Sequence, residues 1–80
     1  MAPKTKKQRD PRREVLKKLG EQVRAYRHER GLTQEALADS VHVSVAYVSL
    51  IERGGRNPPY TTVVAIAHAL GVSARELSTE

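Results

Sequence analysis

The segment that decides the fold is residues 33–52, TQEALADSVHVSVAYVSLIE. It holds two runs of about eight residues, opened by the helix-capping residues Thr33 and Ser44. Such runs, joined by about three or four residues, are typical of a helix-turn-helix. Ala38 is small enough to let the second helix cross the first closely. His42 belongs to the residue types that tolerate the positive φ which the turn requires.

The sequence before this segment predicts an amphipathic helix that begins near Arg12. Its apolar residues recur at spacings of three and four positions: Leu16, Leu19, Val23 and Tyr26. Gly31 ends the pattern. Gly20 lies inside it, where glycine costs about 1 kcal/mol relative to alanine. The start of this helix is therefore less well defined than its end.

The sequence after the segment predicts two further helices. Gly54-Gly55 ends the third helix, and a fourth runs from Pro58-Pro59 to Gly71. Its inward residues are Val63, Ile66, Ala67 and Leu70. Ser73 and Glu76 match a capping box that opens a fifth, short helix around Leu77. No stretch alternates with period two, so the predicted fold class is all-α.

Composition narrows the class of protein. The 80 residues include no cysteine, which excludes disulfides and thiolate zinc sites. The longest apolar run, residues 63–67, is too short to cross a membrane, and the basic amino terminus lacks the apolar stretch of a signal peptide. We therefore expect a single-domain cytoplasmic protein without membrane contact.

The positive charge is unevenly distributed. The net charge is +5, and residues 1–13 carry all of the surplus, because they hold six basic residues against Asp10. We predict a flexible basic N-terminal arm at residues 1–11 and a helical domain at residues 12–80. Basic tails of this kind bind the phosphates of nucleic acids, and each contact steepens the salt dependence of binding.

An ordered set of motifs runs from Arg24 to Glu76. Its pieces are Gly31-Leu32-Thr33-Gln34-Glu35-x-Leu37-Ala38, Val43-Ser44-x-x-Tyr47-Val48-Ser49-x-Ile51-Glu52-Arg53-Gly54, Arg56-Asn57-Pro58, and Ile66-Ala67-x-Ala69-Leu70-Gly71-Val72. This set resembles the Cro/C1-type (XRE, phage-repressor-like) helix-turn-helix family. The resemblance implies a compact five-helix lambda-repressor-like domain that binds double-stranded DNA as a homodimer. His42 departs from the family pattern, which usually has glycine at that position of the turn.

The resemblance also implies which residues read DNA. The recognition helix, about residues 44–52, would face the major groove, and its predicted base contacts are Ser44, Val45, Ala46, Tyr47, Ser49 and Leu50. None of these can bond a purine in the bidentate manner of Arg, Lys, Asn or Gln, so we expect thymine-methyl contacts and readout of DNA shape. Two alternatives stay open: Val45 and Leu50 pack inside or contact a protein, and the Tyr47 ring packs in the core.

Other residues are candidates for the DNA backbone or for the scaffold. The predicted phosphate contacts are Gln34, Arg53, Arg56 and Asn57 in the domain, and Lys4, Lys6, Lys7 and Arg9 in the arm. Their alternatives are ordinary solvated side chains and an arm that serves only solubility. The resemblance implies that Arg27 and Glu52 form an ion pair between helices 1 and 3.

The predicted function is a sequence-specific transcriptional regulator, associated with the nucleoid, on a near-palindromic operator with half-sites about 10 base pairs apart. The three histidines lie on separate elements, so we predict no catalytic site, metal or cofactor. One alternative is a protein-interaction module, an adaptor or antitoxin, that docks through Val45, Ala46, Tyr47 and Leu50. Another is a general nucleoid binder held by the arm. A minority hypothesis makes Glu35 and Asp39 an acidic patch that contacts RNA polymerase.

Overall fold

A computed structural model describes residues 10–78, which form five α-helices and no strand within that range. The helices are α1 (Pro11–Glu29), α2 (Gln34–Val41), α3 (Val45–Glu52), α4 (Tyr60–Leu70) and α5 (Ala74–Leu77). The predicted all-α class and the five helices are confirmed. Over the same residues, no helix has the length and apolar character needed to cross a bilayer.

The helix starts follow from capping side chains. Thr33, Ser44 and Ser73 each accept a hydrogen bond from a backbone N–H in the first turn of the helix that follows. Asp10 does the same for α1, whose first residue is Pro11. The helix therefore includes the last residue of the segment that the sequence assigned to the arm, and Asp10 is its cap.

The turn between α2 and α3 is built on His42. Its backbone is left-handed, with φ 60° and ψ 45°, and its N–H bonds the carbonyls of Ala38 and Asp39. His42 is the one residue other than glycine with positive φ among residues 10–78. The expected turn geometry therefore forms with histidine in the position usually taken by glycine.

The core is aliphatic and draws on every helix. Its most deeply buried large side chains are Leu37, Ile51, Ile66, Leu70, Leu77, Val23 and Val48. On α1 the buried residues are Leu19, Gly20, Val23 and Arg27, while Leu16 and Tyr26 are only partly buried. Within the helix-turn-helix pair, α3 packs against α1 and α2 packs against α4.

Gly20 marks the closest approach between α1 and α3. A Cβ atom at this position would lie 2.6 Å from the carbonyl oxygen of Glu52, and closer still to that of Ile51. The glycine that weakens the helix in isolation therefore lets α1 contact the backbone at the carboxyl end of α3. Close packing, rather than helix propensity, explains its place.

Candidate nucleic-acid interface

The recognition-helix candidate α3 has one buried side. Val48, Ile51 and Glu52 are buried against the rest of the domain. Among the six predicted base-contact residues, Ser44, Val45 and Ala46 are exposed, and Tyr47, Ser49 and Leu50 are half-buried. The amino end of α3 is therefore the part that is most open to a ligand.

Ser44 and Val45 present different chemistry at this end. The Ser44 hydroxyl oxygen accepts a hydrogen bond from the backbone N–H of Tyr47 at 3.0 Å, which leaves its O–H free to act as a donor. Val45 is 39% exposed, so it does not pack inside the core. The pair offers one polar group and one apolar surface to a base edge.

Leu50 lies at the other end of the exposed side and is partly covered by the next loop. The Gly55 N–H donates to the Leu50 carbonyl at 2.8 Å, and a Cβ at Gly55 would lie 3.5 Å from the Leu50 side chain. This contact covers part of Leu50 and leaves part of its apolar surface open.

The Tyr47 ring lies between the core and the loop that follows α3. Its half-buried ring packs against the hydrophobic core. The guanidinium carbon of Arg56 lies 5.4 Å from the ring centroid, which is within the range of a cation–π interaction. The ring therefore holds a cation of the loop after α3 close to the recognition-helix candidate.

A buried ion pair joins α1 to α3. Arg27 donates from Nε to Glu52 Oε2 at 2.6 Å and from Nη2 to Glu52 Oε1 at 3.0 Å, and it donates from Nη1 to the carbonyl of Leu32 at 2.8 Å. The Arg27 and Glu52 side chains are 9% and 4% exposed. The pairing that the family resemblance implied is thus present in the structure, and it also anchors the chain between α1 and α2.

Glu52 is kept ionised by its partners. Burial raises the pKa of its carboxyl, but the hydrogen bonds from Arg27 and Gln34 and the charges of Arg27 and Arg24 lower it. The net pKa lies below the ordinary value for glutamate. The pair is therefore charged at neutral pH, with its charges satisfied by hydrogen bonds rather than by water.

Gln34 belongs to this network, which the sequence did not indicate. Its Nε2 donates to Glu52 Oε1 at 3.0 Å, across 18 positions of the chain. One amide N–H remains for another acceptor. Gln34 also lines a cleft of about 560 Å³ at the amino end of α2, together with Arg27, His28, Gly31, Leu32, Thr33, Glu35 and Val45. Glu35 adds negative charge to this cleft, and the positive charge of Arg27 is already paired with Glu52.

The loop between α3 and α4, residues 53–59, carries the other predicted phosphate contacts. Arg53, Arg56 and Asn57 are all exposed. The Nε of Arg53 donates to the Ser49 carbonyl at 3.4 Å, so its side chain runs back along α3. Lys4, Lys6, Lys7 and Arg9, the predicted contacts of the arm, lie outside the described residues.

The predicted site residues of the domain lie on three elements of the fold. Within residues 10–78, no group of three or more histidine, aspartate or glutamate side chains could hold a metal ion. The predicted base and phosphate contacts of the domain instead lie on α3, on the loop that follows it and at the amino end of α2. The short helices α2 and α3, joined by a tight turn at His42, with α3 buried on one side and open at its amino end, define a helix-turn-helix domain.

Comparisons with known proteins agree with that class. The helix-turn-helix domain family matches residues 18–79. An uncharacterised HTH-type transcriptional regulator, y4dJ of Sinorhizobium fredii, is 42% identical over 66 residues, which is 82% of this chain and 86% of that protein. The chain belongs to the helix-turn-helix family, and the resemblance to its Cro/C1 type is confirmed.

Two further relatives extend the comparison. The immunity repressor protein of Bacillus phage phi105 is 43% identical over 54 residues, covering 68% of this chain but 38% of the repressor. The crystal structure of the restriction-modification controller protein C.AhdI from Aeromonas hydrophila is 39% identical, with a TM-score of 0.75. The match covers 78% of this chain and 94% of C.AhdI. The likeness thus extends to proteins of similar length and to part of a longer one.

Proposed function

We propose that this protein is a transcriptional regulator that binds double-stranded DNA sequence-specifically as a homodimer. The observation that carries the proposal is the exposed amino end of α3, where Ser44, Val45 and Ala46 are open while the opposite side is buried. Family membership and relatives named as transcriptional regulators and repressors support it. The protein acts by binding, without catalysis, in the cytoplasm on the bacterial nucleoid.

In this proposal, some residues contact the bases and others contact the phosphate backbone. Val45 and Ala46 contact thymine methyl groups, while Ser44 and Ser49 offer hydroxyls and Tyr47 and Leu50 border this surface. Gln34, Arg53, Arg56 and Asn57 bind phosphates, and the basic arm adds further contacts. Two protomers place their α3 helices about 34 Å apart, in successive major grooves of a near-palindromic operator.

The experiment is selection of bound sequences from a random duplex library with the full chain, followed by affinity measurements on the selected duplex. A near-palindrome with half-sites about 10 base pairs apart is the expected outcome. Val45→Ser weakens binding to that duplex and relaxes the preference for thymine. Thr61→Ser, on the exposed part of α4, serves as the matched control and leaves both unchanged. Failure to enrich any sequence would overturn the proposal in favour of a protein-docking role or non-specific binding.

Contact with RNA polymerase is a separate part of the proposal. Asp39 is exposed on α2, away from the buried Leu37 and Ala38. Asp39→Lys is expected to abolish activation of a reporter while DNA affinity stays intact. If the variant loses both activation and DNA affinity, or keeps both, a polymerase contact is contradicted.

A further inference from the structure

The first half of α1 lies against the loop between α3 and α4. A Cβ atom at Gly54 would lie 3.2 Å from the Cα of Lys17 and 3.4 Å from its backbone nitrogen. Asn57 shares a groove of about 190 Å³ with Pro11, Arg12, Val15 and Leu16. The start of α1 and the loop that follows the recognition helix therefore form one edge of the domain.

This edge carries more cations than the loop alone supplies. Arg13 and Lys17 are both exposed, and their spacing of four residues places them on the same side of α1. Arg53 and Arg56 are the exposed cations of the loop. On the same side of α1, Glu21 follows one turn after Lys17 and Arg24 follows two turns after it.

The neighbouring Arg12 is paired with a carboxylate of the same helix start. Its Nε and Nη2 donate to the two carboxylate oxygens of Asp10 at 3.1 and 2.9 Å, so its charge is matched locally. Within residues 10–78, Arg13 and Lys17 make no such hydrogen bond or ion pair, although the charge of Arg13 also acts on Asp10. These two residues are thus the cations of α1 that this edge offers to an external anion.

We propose that Arg13 and Lys17 bind the sugar-phosphate backbone of DNA beside the contacts of Arg53 and Arg56. The proposal rests on the proposed function and adds two residues to the DNA-binding surface. Four residues of α-helix rise about 6 Å, and the phosphates of one strand follow each other every 3.4 Å or so along the duplex axis. Arg13 and Lys17 can therefore reach separate phosphates of the same strand.

The test compares two variants that lose the same charge. One is Arg13→Gln/Lys17→Gln. The matched control is Lys18→Gln/Arg75→Gln, at exposed positions on another side of α1 and on α5. Fluorescence anisotropy with the selected duplex at several salt concentrations gives the slope of log affinity against log salt. We expect the slope of the first variant to fall by about 1.8, or 0.9 per lost phosphate contact, while the control keeps the wild-type slope.

Equal slopes for the two variants would overturn the proposal, because net charge alone would then explain the change. A second measurement is hydroxyl-radical footprinting of the same complexes. The Arg13→Gln/Lys17→Gln variant is expected to lose protection at sugars that the wild type and the control still protect, and an unchanged footprint would contradict the contact. Wild-type binding to the selected duplex is measured alongside, so failure of the proposed function would be seen separately.

Discussion

Arg27 and Glu52 share two hydrogen bonds, of 2.6 and 3.0 Å, although 25 positions of the chain separate them. This buried pair fixes the carboxyl end of α3 against α1. It also reaches Gln34 at the start of α2, through a third hydrogen bond to the Glu52 carboxylate. Both helices of the helix-turn-helix are therefore positioned by one pair of opposite charges.

Removing one member of this pair should be costly. Arg27→Ala leaves the Glu52 carboxylate buried without its cation. Such a buried unpaired charge typically lowers the free energy of unfolding by about 3–5 kcal/mol. In a domain of this size the melting temperature should fall by at least about 12 °C. Circular dichroism during heating measures it, with the exposed Lys18→Ala as control. An unchanged melting temperature would show that the pair does not stabilise the fold.

The same carboxylate should make stability depend on pH. Because its pKa is lower in the folded chain than in the unfolded one, Glu52 stabilises the fold above its unfolded pKa of about 4.3. That stabilisation is lost as the pH falls through the folded pKa. Urea unfolding at pH 7 to 3 should show wild type and Glu52→Gln converging below about pH 4.3. A difference that stays constant over this range would contradict the assignment. Asp10, whose pKa is also lowered, is present in both proteins and cancels in the comparison.

Gly20→Ala should destabilise the protein although it improves helix propensity. Alanine favours a helix by about 1 kcal/mol over glycine, but its Cβ would collide with the backbone carbonyls of Ile51 and Glu52. Overpacking of this kind costs about 1–3 kcal/mol, and backbone atoms yield less than side chains. Chemical unfolding should therefore show a net loss. Lys18→Gly, on the exposed side of α1, is the control, because only the helix propensity changes there. A stability gain in Gly20→Ala would refute the close approach.

His42→Gly should leave the turn intact and raise stability by up to about 1 kcal/mol. The left-handed backbone at His42 costs a residue with a side chain about 1–2 kcal/mol, and the greater unfolded-state freedom of glycine offsets part of the gain. His42→Val should do the reverse, because a β-branched residue is strained at positive φ. Urea unfolding of the two variants gives the comparison. If valine were tolerated as well as glycine, the turn would have another geometry.

Substitution of Tyr47 separates its ring from its hydroxyl. Tyr47→Phe keeps the ring that lies under Arg56, whereas Tyr47→Leu removes it. We expect Tyr47→Leu to weaken DNA binding several-fold more than Tyr47→Phe, since a cation–π contact at such a site is worth about 0.5–1 kcal/mol. Anisotropy on the selected duplex measures both variants. Equal losses would assign the role to the hydroxyl instead.

The sequence predicted the helices well because local chemistry determines them. Caps at Thr33, Ser44 and Ser73 and the left-handed residues His42 and Gly71 act within a few positions of the chain, so their effect is visible in the order of residues. Helix α1 begins at Pro11, within one residue of the predicted start near Arg12, because the side chain of Asp10 caps it.

The features that the sequence left unpredicted depend on distant residues brought together by the fold. The Gln34 hydrogen bond to Glu52, the Gly20 contact with α3 and the approach of Gly54 to Lys17 all join separate helices or loops. The spacing of apolar residues along the chain does not indicate such contacts. The sequence does show that Gly20 is an unfavourable residue inside a helix. The reason for it, the close approach of α3, is visible only in the folded structure.

The division of α3 into a buried and an open side has a consequence for diversification. Val48, Ile51 and Glu52 hold the helix in place, while Val45 and Ala46 are exposed at its amino end. Under the proposed function, randomising these two positions with Ser44 retained as the cap should give a library in which the fold is constant and the operator preference varies. If these residues contact bases as proposed, very few codon changes can give a new target sequence while the buried residues that stabilise the fold stay the same.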